Sequence, residues 1–409
     1  MELIVSALFL LSAPLSIALY FLGMAYRPKE WKRYTFLLVL SLFSLAYAYK
    51  PFGSPDLVRY FEQLDECAKR SLGEVFVFFD DSLYLKDILF WVIAKLDLRQ
   101  LLPGLTALCV YSSAAYITND TAERLDADRY ILYCIAFELC MLPFFTIINN
   151  VRNLSAFALA LMAVYMDLVK GKRNPGVFAL YIVPCLIHPS AILMLGLRLV
   201  VGIARKGKLI IVLVALFTPT FINLFYSYKN LIARLGPVGR IINSAVNLAY
   251  SYMTGERASE WAIQVSRSGF QKVNRLVMMS FSILVILFIM ILQKYIETEY
   301  KKFLDFLFLI NVVVLACKIF VTPQYWRFSA AGCIAIAPLL MLGFTKRKEL
   351  PFYFRPVFYV IWLYPLMGLV LQLWYSQYMV DYTQYLPQMM ITNIYTILLD
   401  IVRALVVFH

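Results

Sequence analysis

Three basic side chains stand where apolar runs of this sequence begin or break: Arg152 in NNVRNLSA, Arg327 in QYWRFSAAG and His188 in LIHPSA. Neither arginine has an acid near it in the sequence. A guanidinium stays charged and presents a planar fork of donors, so a pair of them suits phosphate or pyrophosphate oxygens. The other reading is snorkelling, in which a long cationic side chain at a helix end reaches for lipid head groups. His188 is one of two histidines, the second being His409. At membrane depth, in a broken helix, an imidazole can take a proton from a hydroxyl and return it. It can equally sit neutral, bonded to a carbonyl freed beside Pro184 or Pro189. The stretch YKPFGSPDLVRYFEQLDE, residues 49–66, adds Lys50, Asp56, Arg59 and Tyr60. If a helix follows Pro55, Asp56, Arg59 and Tyr60 lie on one side of it at three- and four-residue spacing. Asp56 is then a general base or hydroxyl ligand, or else a first-turn acid favoured by the helix dipole.

The elements that must position these groups are membrane helices. Of 409 residues 62% are hydrophobic and only 15% charged, with a mean hydropathy of +0.74. Apolar runs of the ~20 residues needed to cross a bilayer recur along the chain, whereas the short alternating strands of a barrel are absent. An all-α polytopic membrane protein is expected, as one integral membrane domain over 1–409. Spans are read near 3–24, 34–49, 99–118, 129–148, 153–170, 208–226, 274–293, 303–322, 328–344, 352–373 and 386–407. The first follows Glu2 rather than a basic segment and reads as a retained span. Residues 176–203 are too long for one span and are broken by Pro184 and Pro189, so two half-helices meeting near His188 are expected.

The net charge of +13 lies in short clusters between apolar runs. That is the pattern of cytoplasmic loops and not of a nucleic-acid-binding surface. Arg27 to Arg33, Lys170 to Arg173, Arg198 to Lys208, Lys294 to Lys302 and Lys346 to Lys348 mark one side. The segment 119–128 belongs on that side too, yet carries more acids than bases. About eleven crossings and a re-entrant hairpin at 176–203 satisfy this bias. The N-terminus is then outside and the C-terminus inside. Residues 50–97, with the amphipathic ILFWVIAKL placed on the membrane surface, face outward. So do the corners at Arg152, 322–328 and 374–385. The loop 227–273 also faces outward although Lys229, Arg234, Arg240, Arg257, Arg267 and Lys272 outnumber Glu256 and Glu260. It is either a long loop indifferent to the charge bias or a basic vestibule for an anionic substrate. Its Tyr226, Tyr228, Tyr250, Tyr252 and Trp261 are sugar-stacking groups or ordinary interface aromatics. Cys109, Cys134, Cys140, Cys185, Cys317 and Cys333 fall in apolar runs and Cys67 stands alone, with no metal or disulfide pattern. Glycine-rich phosphate loops and the zinc and serine-hydrolase motifs are also missing, so no nucleotide-driven machine is expected.

The order of these motifs resembles the EpsG-like branch of Wzy-type polysaccharide polymerases, over residues 1 to about 345. In that family a basic residue ends the second span before a Gly-Thr-Asp-Tyr-like turn and a later tyrosine; here the region reads YKPFGSPDLVRYF. An N-x-x-R helix start resembles NNVRNLSA, H-x-S-A resembles His188 to Ala191, and an arginine before an apolar span resembles Arg327 in YWRFSAA. Lys50 stands where arginine is commoner, and GSPD replaces the usual turn.

The resemblance implies a GT-C-like, inverting membrane glycosyltransferase in a bacterial cytoplasmic membrane, with its active site outside. It would move a growing glycan from undecaprenyl pyrophosphate to the terminal sugar of a lipid-linked repeat. It needs no metal, nucleotide or other cofactor. Arg152, Arg327 and Lys50 would hold the pyrophosphate, and His188 or Asp56 would deprotonate the acceptor. Arg59, Tyr60, Tyr325, Trp326, Arg257 and Trp261 would contact glycan. Membrane lipid and a chain-length regulator protein are the further partners implied. An O-antigen ligase-type enzyme would share this donor chemistry. A lipid-linked oligosaccharide flippase would instead carry inverted repeats and buried mid-span charges.

Overall fold

The computed structural model describes residues 9–408 apart from 53–55, 80–82, 209–210, 212–214, 216, 254–258, 261–262, 264–266, 297 and 320–323. Among these residues all regular structure is helical. Helices α1 (Ala13–Tyr26) and α2 (Trp31–Ala48) pack together, with Ser41 Oγ 3.3 Å from Ser16 Oγ and 3.2 Å from the Tyr20 hydroxyl.

The expected outer loop 50–97 is not open chain. It folds as α3 (Asp56–Ala68), α4 (Leu72–Phe79) and α5 (Tyr84–Lys95). In α3 the buried Leu57, Tyr60, Phe61, Leu64 and Cys67 recur at helical spacing, which holds the helix on the protein by its apolar stripe. The segment expected on the membrane surface lies in α5, where Phe90 and Ile93 are buried in the core.

The central helices are α6 (Leu101–Leu125), α7 (Ile131–Met141), α8 (Phe144–Asn149) and α9 (Val151–Leu168). The single span expected at 129–148 is in fact broken at Pro143, which supplies no N–H to the carbonyl four residues before it. Next come α10 (Pro175–Ile187) and α11 (Ala191–Lys206), which meet at His188 as the prolines predict. Asn174 caps α10 by accepting from Val177 N at 3.0 Å, and Pro175 opens it.

Part of the expected loop 227–273 is also helical. Helix α12 (Thr218–Ser227) leads to α13 (Lys229–Ala233) and α14 (Gly236–Met253), and Tyr226 stacks on Tyr250 at 3.7 Å. The last third holds α15 (Gly269–Leu292), α16 (Thr298–Ile319), α17 (Gln324–Ile334), α18 (Ala337–Thr345), α19 (Arg355–Val360), α20 (Tyr364–Ser376), α21 (Tyr382–Ile391) and α22 (Ile394–Phe408).

Among the described residues four helical stretches are long and apolar enough to cross a membrane: Leu101–Leu125, Val151–Leu168, Gly269–Leu292 and Arg355–Ser376. Two bent pairs, α17 with α18 at 50° and α21 with α22 at 88°, raise the number to six if each is one span. Other apolar runs form shorter helices such as α1 and α10. This is the build of a helical membrane protein.

Several ion pairs join segments that are distant in the chain. Lys32 meets Glu123 at 2.8 Å, Arg124 meets Glu299 at 3.8 Å, Lys208 meets Asp305 at 3.0 Å, and Lys170 pairs with Asp120. Asp120 and Glu123 of the segment 119–128 thus pair with bases of neighbouring segments. Arg152 stands in the first turn of α9, and Lys170 follows the other end of the helix. Eighteen residues of helix separate them by about 27 Å, close to the ~30 Å of a hydrocarbon core.

Candidate active site

Asp56, Arg152 and Arg327 come from three distant parts of the chain and all sit at helix N-termini. Asp56 is the first residue of α3, Arg152 the second of α9 and Arg327 the fourth of α17. For Asp56 that place is favourable. For the arginines it is not, because a cation there opposes the positive end of the dipole. Guanidinium and helix N-terminus together therefore favour an anion between them.

The local geometry links these groups. Asp56 Oδ1 lies 3.1 Å from Arg59, as the three-residue spacing requires, and its Oδ2 lies 3.9 Å from Arg327. Arg152 Nε donates to the Tyr60 hydroxyl at 3.4 Å, and its guanidinium lies 5.2 Å from the centre of that ring. Tyr60 is itself buried and packs edge-on against Phe90 of α5. One turn of α3 thus carries a partner of each arginine.

His188 is buried at the break between α10 and α11. Its Nδ1 is 2.7 Å from Ser190 Oγ and 3.1 Å from Ser190 N, and Ser190 Oγ donates to Asn153 Oδ1 at 3.0 Å. These bonds occupy Nδ1 and fix the ring on α9, one residue after Arg152. Arg152, Arg327 and Lys86 all lie near enough to act on the ring electrostatically.

A cavity of about 320 Å³ opens beside this cluster. Asp56, Arg327 and Trp326 line it, whereas Arg152 and His188 do not. Its amide groups come from Asn149, Asn150, Gln271 and Asn274, and further aromatic wall from Phe270 and Tyr375. The site is held open from the last third of the chain. Pro143 leaves the Leu139 carbonyl without its helical donor. Gln372 of α20 fills the gap: Nε2 donates to Leu139 O at 2.8 Å and Cys140 O at 2.7 Å, and Oε1 accepts from Phe144 N at 3.4 Å. One turn earlier, a Cβ on Gly368 would stand 2.4 Å from Cys140 O, so only glycine allows α20 this close.

The remaining expected site residues divide. Tyr325 is fully buried and turned to α15, where its hydroxyl accepts from Asn274 Nδ2 at 3.1 Å and donates to Gln271 Oε1 at 3.4 Å. It braces the cavity wall and does not line the cavity. Lys50 is exposed and does not line it either. Arg257 and Trp261 lie outside the described residues. Sequence reasoning passed over Asn149 and Asn150, although both stand in the motif around Arg152. It also missed Lys86 and Asp87, an ion pair at 2.8 Å with both side chains 1% exposed. Their setting in FDDSLYLKD reads as a solvated loop, and only tertiary packing buries the pair. Among the described residues no group of three or more His, Cys, Asp or Glu side chains could hold a metal ion. Compared with protein-family models, with characterised proteins and with solved structures, the chain gives no match.

Proposed function

We propose that this protein is a membrane glycosyltransferase of the polysaccharide-polymerase kind, built in the GT-C manner. It transfers a glycan from a polyprenyl pyrophosphate to the terminal sugar of a second lipid-linked unit on the outer face of the membrane. The observation that carries the reading is the contact of Asp56 with Arg327 in the wall of a cavity of sugar size, with Arg152 held through Tyr60 one turn further along the same helix.

The chemistry needs three services. The bond between the anomeric carbon and the pyrophosphate oxygen breaks, so negative charge grows on the leaving group. Arg152 and Arg327, each backed by a helix N-terminus, stabilise that charge where it develops. The acceptor hydroxyl forms the new glycosidic bond and gives its proton to a base. Asp56 stands on the cavity wall and is the base that reaches a hydroxyl bound there; His188, buried and held through Ser190, positions the arginine helix. Cleavage of the sugar–pyrophosphate bond drives the transfer, so no nucleotide enters.

The test is a polymerisation assay on purified protein given its lipid-linked repeat without nucleotide. A ladder of products that disappears in a well-folded Arg152→Ala variant supports the reading. No ladder from folded wild type given its authentic substrate removes it.

A further inference from the structure

Two amide oxygens in the wall of the cavity have no hydrogen-bond partner. Asn149 and Asn150 are 2% and 6% exposed, both line the cavity, and Oδ1 of each is buried and unbonded. Their amide orientations are fixed from the other side. Asn149 Nδ2 donates to Phe145 O at 2.6 Å and to the Tyr49 hydroxyl at 3.4 Å, and Asn150 Nδ2 donates to Thr146 O at 3.1 Å. Turning either amide to satisfy its oxygen would break the bonds of its nitrogen. Two acceptors on consecutive residues at the end of α8 are therefore left unbonded. Buried polar groups of folded proteins nearly always find partners, so a pair left open in one cavity wall points to a donor that arrives from outside the chain.

The rest of the wall narrows the identity of that donor. Among the described residues Asp56 and Arg327 are the only charged ones lining the cavity, and they face each other at 3.9 Å. The lining is thus close to neutral, rich in amides and flanked by Trp326, Phe270 and Tyr375. Flat aromatic faces pack on the C–H faces of a pyranose, while amide oxygens accept from its hydroxyls. A volume of about 320 Å³ lies at the small end of ligand pockets, which suits one or two sugar rings and not a long glycan.

We propose that this cavity is a subsite for a neutral sugar, a hexose or N-acetylhexosamine, whose hydroxyl or amide protons bond to Asn149 Oδ1 and Asn150 Oδ1 beside Asp56. This deepens the glycosyltransferase reading and rests on it only in naming the bound unit as the acceptor. Both oxygens are closed off from water in this structure, so binding requires the wall to part around the sugar. An acidic sugar would bring its carboxylate against Asp56 and is disfavoured.

The experiment uses the full chain in detergent and saturation-transfer-difference NMR. The probes are methyl α-glucopyranoside, methyl α-galactopyranoside, methyl N-acetyl-α-glucosaminide and methyl α-glucuronide. At least one neutral glycoside is expected to bind, with affinity in the millimolar range typical of a lone sugar, and the glucuronide is not. Asn149→Ala and Asn150→Ala each weaken that binding about fivefold, the worth of one neutral hydrogen bond. Trp326→Leu, in a different helix of the lining, weakens it independently and guards against a misfolded asparagine variant. Failure of every neutral probe, equal binding of the glucuronide, or unchanged binding in all three folded variants overturns the subsite. Sugar binding that depends on the asparagines, in a protein that makes no polymer, overturns the enzyme reading and leaves the subsite standing. Polymer made equally well by wild type and both asparagine variants, with no sugar bound, does the reverse.

Discussion

Asp56 stands between two arginines: its Oδ1 is 3.1 Å from Arg59 and its Oδ2 is 3.9 Å from Arg327, the second contact joining the N-terminus of α3 to that of α17. The Arg59 pair is largely exposed and contributes little to stability. The Arg327 contact is different, because Arg327 is only 12% exposed and lines the cavity with Asp56. Asp56→Asn keeps the shape and removes the base. Turnover is expected to fall by about 10²- to 10⁴-fold, the range that a general base supplies, with little change in thermal stability. Arg59→Ala should leave turnover within a few-fold of wild type. Equal losses in the two variants, measured as initial polymerisation rates, would contradict the role given to Asp56.

The latch between α20 and the α7–α8 break is a structural prediction, independent of any reaction. Gln372→Leu leaves the Leu139 and Cys140 carbonyls without their side-chain donor, at about 1–3 kcal/mol for each buried group left unpaired. Gly368→Ala places a methyl 2.4 Å from the Cys140 carbonyl oxygen and is expected to cost about 1–3 kcal/mol through overpacking. Thermal unfolding in detergent, followed by the monomer peak in size exclusion, should show a lowered midpoint for both. Gln372→Glu, which keeps an acceptor for Phe144 N but loses the donors, should behave like Gln372→Leu and not like wild type.

How far the sequence could be read depended on the range of each contact. Asp56 and Arg59 were legible because three-residue spacing brings them together in any helix. Arg152 and Arg327 were legible because each interrupts an apolar run, and the meeting of α10 and α11 at His188 because prolines flank it. The Gln372 latch was not, since nothing local marks a glutamine as the partner of carbonyls more than two hundred residues away. Lys86 and Asp87 misled for the opposite reason: adjacent charges suggest solvent, and only packing of α5 against its neighbours buries them. Reading the breaks as crossings or as interruptions within one crossing is also a tertiary matter, which is why Pro143 went unread as a division.

Cys67 offers a check on the packing of α3 outside the membrane-spanning helices. Burial, with a smaller effect from the carboxylate of Asp87, pushes its thiol up to about 11. In the unfolded chain the thiol ionises at an ordinary pKa of about 8.5. The folded state therefore favours the neutral thiol, and this group withdraws stability as pH rises from roughly 8.5 toward 11. Iodoacetamide at pH 8 should label Cys67 far more slowly in the native protein than in urea, by at least about 100-fold given the scarcity of thiolate. Peptide mass spectrometry reads the ratio. Rapid native labelling would mean that α3 does not pack its Cys67 face as described.

Tyr60 is the last residue whose role can be divided by chemistry. Its hydroxyl accepts from Arg152 Nε at 3.4 Å, and its ring lies 5.2 Å from the same guanidinium. The hydrogen bond is long, so most of its hold on Arg152 is the ring and the buried packing beneath it. Tyr60→Phe retains the ring and should reduce polymerisation only about two- to tenfold, within the worth of one weak hydrogen bond. Tyr60→Ala removes the platform, frees the arginine and opens a hole against Phe90, and should cost about 3–5 kcal/mol of stability as well as activity. Arg152→Lys tests the other side of the contact. A lysine keeps the charge near the tyrosine ring but lacks the fork of donors, so if Arg152 grips two oxygens of one phosphate, this variant stays folded and falls toward the activity of Arg152→Ala. If Arg152 is only a membrane anchor, lysine replaces it without loss, and polymerisation rates of the two variants beside wild type decide between these outcomes.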